Sequence, residues 1–171
     1  MLGERINLPQ VNHIVRWAQN TPDRLDFLLK ATRSDNQRVA ANALWCLTHL
    51  QEQNEDWLQS RQSSLIDMLL RETHTGKKRM LLQLLRHQSY DSDNLRTDFL
   101  DYCLSKINSE CEPYAIRCFS LYCSFKMCRF YPELVAELEH HLEMLSTQSL
   151  SPGLRSALRS TSIQLSHLKR L

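Results

Sequence analysis

Apolar residues recur along the chain at intervals of three and four, and hardly anywhere at intervals of two. That is the period of helices packed on one face, not of strands. Val11, Ile14, Val15 and Ala18 mark a first amphipathic segment. Thr21, in N-cap position ahead of Pro22, opens a second helix through RLDFLLKATR. Ser34-Asp35-Asn36 interrupts the pattern and can cap the next helix, RVAANALWCLTHLQ. DWLQSRQSSLIDMLLRET follows as one expected helix, and GKKRMLLQLLRHQ as another after Gly76. Ser92 and Asp93 introduce NLRTDFLDYCLSKI, Pro113 starts YAIRCFSLYCSFKMCRF, Pro132 starts ELVAELEHHLEML, and Ser151-Pro152 starts the last. The pattern predicts about nine helices and no strand.

The helices alternate in character. Those containing RLDFLLK, SSLIDMLL, TDFLDYCL and PELVAELEHHLEML each carry a charged face. Those at 36–51, 76–88, 113–129 and 152–169 differ. In 113–129, Ile116, Phe119, Cys123 and Met127 form one apolar stripe, and Cys118, Leu121, Tyr122 and Phe125 a second. A helix apolar on two sides is packed on two sides, as an inner helix of a stacked array would be. Aligned on arginine, these inner helices put Arg38, Arg79, Arg117 and Arg155 in register, 41, 38 and 38 residues apart. A two-helix repeat of roughly 40 residues is thereby expected. Short connections make neighbouring helices antiparallel. The expected organisation is a single domain over 1–171: a cap helix in 1–20, then repeats at about 21–52, 55–88, 92–129 and 131–169. Within RVAANALWCLTHL, Val39, Ala43, Cys46, Leu47 and Leu50 are expected to face the stack.

SDNQRVAANALWCL resembles the second helix of a HEAT repeat. The larger pattern of WAQNTPDRLDFLL, RVAANALWCLTHL, EPYAIRCFSLYC and YPELVAELEHHLE resembles a family of small helical-repeat proteins from Bacteroidetes, over nearly the whole chain. The resemblance implies an all-α fold, a right-handed α-α superhelix (α-solenoid) of about four HEAT-like repeats. Members of that family often carry an adenylosuccinate lyase label. Such lyases are far longer and use a glycine-rich, serine-containing signature loop with Met, Lys and Asn-Pro, for which a chain with Gly3, Gly76 and Gly153 alone has no segment.

Stepping by four, three and four from each arginine gives one face per inner helix. The first presents Arg38, Asn42, Trp45 and His49; the second Arg79, Gln83, Arg86 and Tyr90. The third presents Arg117, Leu121, Ser124 and Cys128; the fourth Arg155, Arg159, Ser162 and Ser166. In a solenoid these faces line the concave surface. The candidate binding residues are therefore Arg38, Asn42, Trp45, Arg79, Gln83, Arg86, Arg117, Arg155 and Arg159, with no carboxylate among the aligned positions. Arginine forks suit phosphates and carboxylates, and Trp45 could stack on a base or cover an apolar side chain. The alternative use of such arginines is structural, each tying one repeat to a neighbouring turn through an aspartate, with Asp35, Asp91 and Asp93 placed to serve. Arg86 and Arg159 are additional to the repeat alignment, which favours them as binding residues.

Composition narrows the function. With 42% hydrophobic and 23% charged residues, the chain has a sizeable core to bury. Scarce glycine argues against phosphate-cradling loops, and a net charge of +2 supplies no global field for nucleic acid. Basic runs do occur, at Lys77, Lys78, Arg79 and Arg86 and again after Glu143. Cys118, Cys123 and Cys128 stand five apart. Five residues turn a helix by about 500°, so successive thiols point roughly 140° apart and cannot chelate one zinc. His140 and His141 point different ways for the same reason. No catalytic residues, metal site or cofactor are expected. The start MLGERINLPQ has no apolar signal core, and a cytoplasmic, reduced protein without a membrane span is the economical reading. The function expected is a non-catalytic scaffold whose concave face binds a protein or peptide partner in preference to nucleic acid. The alternative is a nucleic-acid binder related in kind to the DNA alkylation repair glycosylases, which grip phosphates with a basic concave face.

Overall fold

The computed structural model describes residues 1–170. Among them are ten α-helices, one 3₁₀ turn and no strand. In order they are α1 (Leu8–Ala18), α2 (Pro22–Ala31), α3 (Gln37–Leu47), the 3₁₀ turn Glu52–Asn54, α4 (Glu55–Gln59), α5 (Gln62–Arg71), α6 (Thr75–His87), α7 (Thr97–Ile107), α8 (Tyr114–Cys128), α9 (Pro132–Ser146) and α10 (Pro152–Leu168). The chain forms two compact units, Met1–Leu84 and Leu85–Leu171.

Helix starts follow local chemistry. Asn7 and Gln10 make a reciprocal capping box at α1, each side chain accepting the other's backbone N–H. Asn36 Oδ1 accepts from the N–H groups of Arg38 and Val39 to start α3. Ser151 Oγ accepts from Leu154 N at α10. Pro22, Pro132 and Pro152 occupy first-turn positions where no N–H is needed. Two starts differ from expectation. Thr21 precedes α2 without a side-chain cap bond. Ser92 and Asp93 do not cap α7; Asp91 Oδ1 instead accepts from Asp93 N (3.0 Å) and Asn94 N (2.9 Å), closing a turn and delaying the helix to Thr97.

The expected single helix through 56–73 is broken into α4 and α5. Ser60 Oγ donates back to the Trp57 carbonyl at 2.7 Å, a bond that competes with helix continuation. Asn54 Nδ2 donates to the Gln19 carbonyl at 2.8 Å and ties the preceding 3₁₀ turn to the end of α1. α3 ends at Leu47, short of the expected 51, where Thr48 Oγ1 donates to the Trp45 carbonyl and His49 Nδ1 lies 2.9 Å from the same oxygen.

In the first unit α1, α2 and α3 pack on one another. The interior face of α3 is Ala40, Ala43, Leu44, Cys46 and Leu47. Val39 and Leu50, expected in the stack, are only half-buried. Ala40 and Ala43 let the α3 backbone approach α1 and α2 closely. In the second unit α8 is the central helix, in contact with α7, α9 and α10. Ile116, Leu121, Cys123 and Met127 are buried, from both apolar stripes. Phe99 on α7 is fully buried and stacks on Tyr90 with ring centroids 6.2 Å apart.

Glu72 holds the start of α6. Its Oε1 accepts from Thr73 N (2.9 Å) and His74 N (2.8 Å), and its Oε2 lies 2.8 Å from Lys77 Nζ. Desolvation pushes the carboxyl up, but the bonds from Lys77 and the backbone together bring it below the ordinary glutamate range. A carboxyl with a lowered folded-state pKa stabilises above its unfolded value, and that contribution is lost as pH falls through the folded one. Glu72→Gln is therefore expected to reduce stability at pH 7 and to flatten the loss of stability below about pH 4.5. Urea titrations of both proteins at pH 7 and in that acid range check this; a constant difference between them across the range would refute it.

Candidate binding surfaces

The aligned arginines have different environments. Arg38 and Arg79 in the first unit, and Arg155 and Arg159 in the second, are exposed, and among the described residues none forms an ion pair. Arg155 donates to the Leu150 carbonyl at 3.3 Å. Arg117 is only 2% exposed. Its Nε donates to the Ile107 carbonyl at 2.9 Å, and a terminal nitrogen bonds Gln148 Oε1. It thereby joins the end of α7 to the segment after α9. The other three aligned residues of α8, Leu121, Ser124 and Cys128, are buried as well. Two of the three aspartates suggested as partners serve elsewhere: Asp91 closes its own turn and Asp93 accepts from Ser92 Oγ.

The remaining candidates are half-buried. Asn42 Nδ2 donates to the carbonyls of Leu2 (2.7 Å) and Glu4 (2.8 Å), pinning the N-terminal segment to α3. Trp45 meets His49 edge-on at 6.0 Å. Gln83 is half-buried on α6. Arg86 lies over the Phe119 ring, 4.6 Å from its centroid, and 6.0 Å from that of Tyr122. Lys126 Nζ donates to the carbonyls of Arg86 (2.6 Å) and Gln88 (2.9 Å), a cation on the open end of α6. Burial holds this ammonium below the ordinary lysine range.

Cys46, Cys103, Cys123 and Cys128 are core residues, Cys118 is half-buried and Cys111 is exposed. Burial pushes the Cys46 thiol up to about 11 and Cys128 to about 12, and raises Cys103 well above its usual value. Thiols held protonated at neutral pH are poor nucleophiles. Among the described residues no three His, Cys, Asp or Glu side chains converge as metal ligands. His141 Nδ1 lies 3.0 Å from Asn108 Nδ2, and burial lowers its pKa. No helix among the described residues is long and apolar enough to cross a membrane.

A family model for the HEAT repeat domain matches residues 1–165. The chain belongs to the HEAT repeat family. No curated protein and no solved structure matches it.

One feature of this HEAT repeat chain was not anticipated from its sequence. Trp17 and Phe27 stand 42% and 56% exposed, with their rings edge-to-face at 6.2 Å. Arg24 covers the Trp17 ring at 5.0 Å and donates to the Trp17 carbonyl. The available signal was position: Trp17 falls outside the Val11, Ile14, Val15, Ala18 stripe, and Phe27 outside that of Leu25, Leu28 and Leu29.

Proposed function

We propose that this HEAT repeat protein is a non-catalytic scaffold that binds an acidic protein or peptide segment through the aligned faces of its inner helices. The observation that carries the reading is the state of Arg38, Arg79, Arg155 and Arg159: four exposed guanidinium groups, three of them in the arginine alignment and Arg159 one turn beyond Arg155, none in an ion pair among the described residues. Arginine forks recognise carboxylates bidentately, and complementary charge sets both register and association rate. A net charge of +2 favours a peptide carboxylate over a polyphosphate backbone. The exposed Trp17, Phe27 and Arg24 add residue types that dominate protein contacts. Arg117 contributes to stability in this reading and not to binding.

The test is fluorescence anisotropy with a labelled glutamate-rich peptide and a labelled DNA duplex of matched charge, from low to physiological salt. The proteins are the wild type and the pairs Arg38→Glu/Arg79→Glu and Arg155→Glu/Arg159→Glu. Peptide binding weakened about tenfold or more by each pair, with unchanged thermal stability, is the expected result. Binding confined to DNA, falling steeply with salt, would replace this reading with a nucleic-acid one. Absence of binding to both probes would remove the arginine faces as a site.

A further inference from the structure

The first unit contains a cleft of about 520 Å³ between the end of α2, the C-terminal half of α5 and the first turns of α6. That volume lies within the range of small-molecule sites. Arg33, Arg71 and Lys77 border it, opposed by Asp67 and Glu72, and Leu44, Met68 and Leu81 supply apolar wall. Neither Arg38 nor Arg79 borders it, so the cleft is distinct from the aligned arginine face.

Lys77 sets the chemistry. Its side chain is 9% exposed, although lysine is rarely buried without full compensation. An ammonium has three donors. Glu72 Oε2 is its one partner among the described residues, and that carboxylate already accepts two backbone N–H groups through its other oxygen. A desolvated ammonium with donors left over borders a polar cleft and calls for a further acceptor there. Arg71 brings a second cation that is exposed and has no partner among the described residues. Arg33 bonds Ser64 Oγ, which holds its guanidinium at the edge of the cleft. A fork and a point charge on one small site match the two ways in which an oxyanion is held.

We infer that this cleft binds a small ligand bearing a phosphate or carboxylate group, the anion held by Lys77, Arg71 and Arg33, with a short apolar portion against Leu44, Met68 and Leu81. Glu72 fixes Lys77 in place for that role, and three cationic side chains line the cleft against two carboxylates.

Phenyl phosphate and benzoate, each titrated by calorimetry into the full-length protein at constant ionic strength, separate the two anion sources. Binding of one or both at submillimolar to millimolar Kd is expected, reduced about tenfold or more in Arg71→Ala and less in Arg33→Ala. Lys77→Met would leave Glu72 without its partner and lower stability, so the exposed Arg71 carries the test. Arg71→Lys, which keeps charge and loses the fork, should retain part of the affinity. Heat evolution that is the same in wild type, Arg71→Ala and Arg33→Ala would overturn the inference, as would no binding of either probe up to on the order of 10 mM.

Discussion

Arg117→Ala is expected to destabilise the second unit by about 3 kcal/mol, through lost charge-assisted hydrogen bonds and the cavity left behind. The residue is interior, yet its partners are neutral: the Ile107 carbonyl and the Gln148 side chain. Removing it leaves a buried carbonyl at the end of α7 without its donor and releases the segment after α9. Relief of the desolvated charge offsets part of this. Arg117→Met separates the contributions, because it fills most of the volume without donors; a cost of about 1–2 kcal/mol is expected. Equilibrium urea unfolding of both variants measures this. A methionine variant as stable as the wild type would mean that the guanidinium contacts add nothing net and that Arg117 acts by volume alone.

Phe99→Ala should cost about 3–5 kcal/mol, the usual range for a fully buried aromatic ring. Phe99 has no exposed surface and stacks on Tyr90, whose hydroxyl donates to the Leu85 carbonyl at 2.9 Å. Burial raises the phenol pKa of Tyr90. Loss of Phe99 would let water reach that ring, so the tyrosine should titrate closer to its ordinary value in the variant. Phe99→Leu retains much of the volume and should cost about 1–1.5 kcal/mol. Thermal and urea denaturation read the stabilities, and ultraviolet difference spectra between pH 9 and 12 read the phenol. A loss below about 1 kcal/mol for the alanine variant would show that the surrounding helices collapse to fill the space.

The helical plan was legible in the sequence because it is written in period and punctuation. The double stripe of 113–129 identified a helix packed on two sides, and α8 is that helix, in contact with α7, α9 and α10. Asn36 and Ser151 were readable as caps because capping is decided within three residues. What stayed hidden depends on atoms distant in the chain. The arginine period marks Arg117 as equivalent to Arg38, yet Arg117 is interior and Arg38 exposed; the partners of Arg117, Ile107 and Gln148, lie ten and thirty-one residues away. The break at Ser60 was also missed, since the hydrophobic pattern runs through it and the local bonds of Ser60 to Trp57 and Arg61 leave no mark on that pattern. The cleft beside Lys77 joins residues from three helices, and no spacing along one of them announces it.

The boundary between Leu84 and Leu85 also divides the chromophores. All three tryptophans, Trp17, Trp45 and Trp57, lie before it, and all five tyrosines, Tyr90, Tyr102, Tyr114, Tyr122 and Tyr131, lie after it. Each unit therefore carries an optical label that the other lacks. Emission excited at the red edge, where only indole absorbs, follows residues 1–84, and the tyrosine emission that remains once the indole part is subtracted follows residues 85–170. A single unlabelled sample thus yields two melting curves. A ligand in the Lys77 cleft should move the indole curve, and the Arg117 and Phe99 variants should move the phenol one.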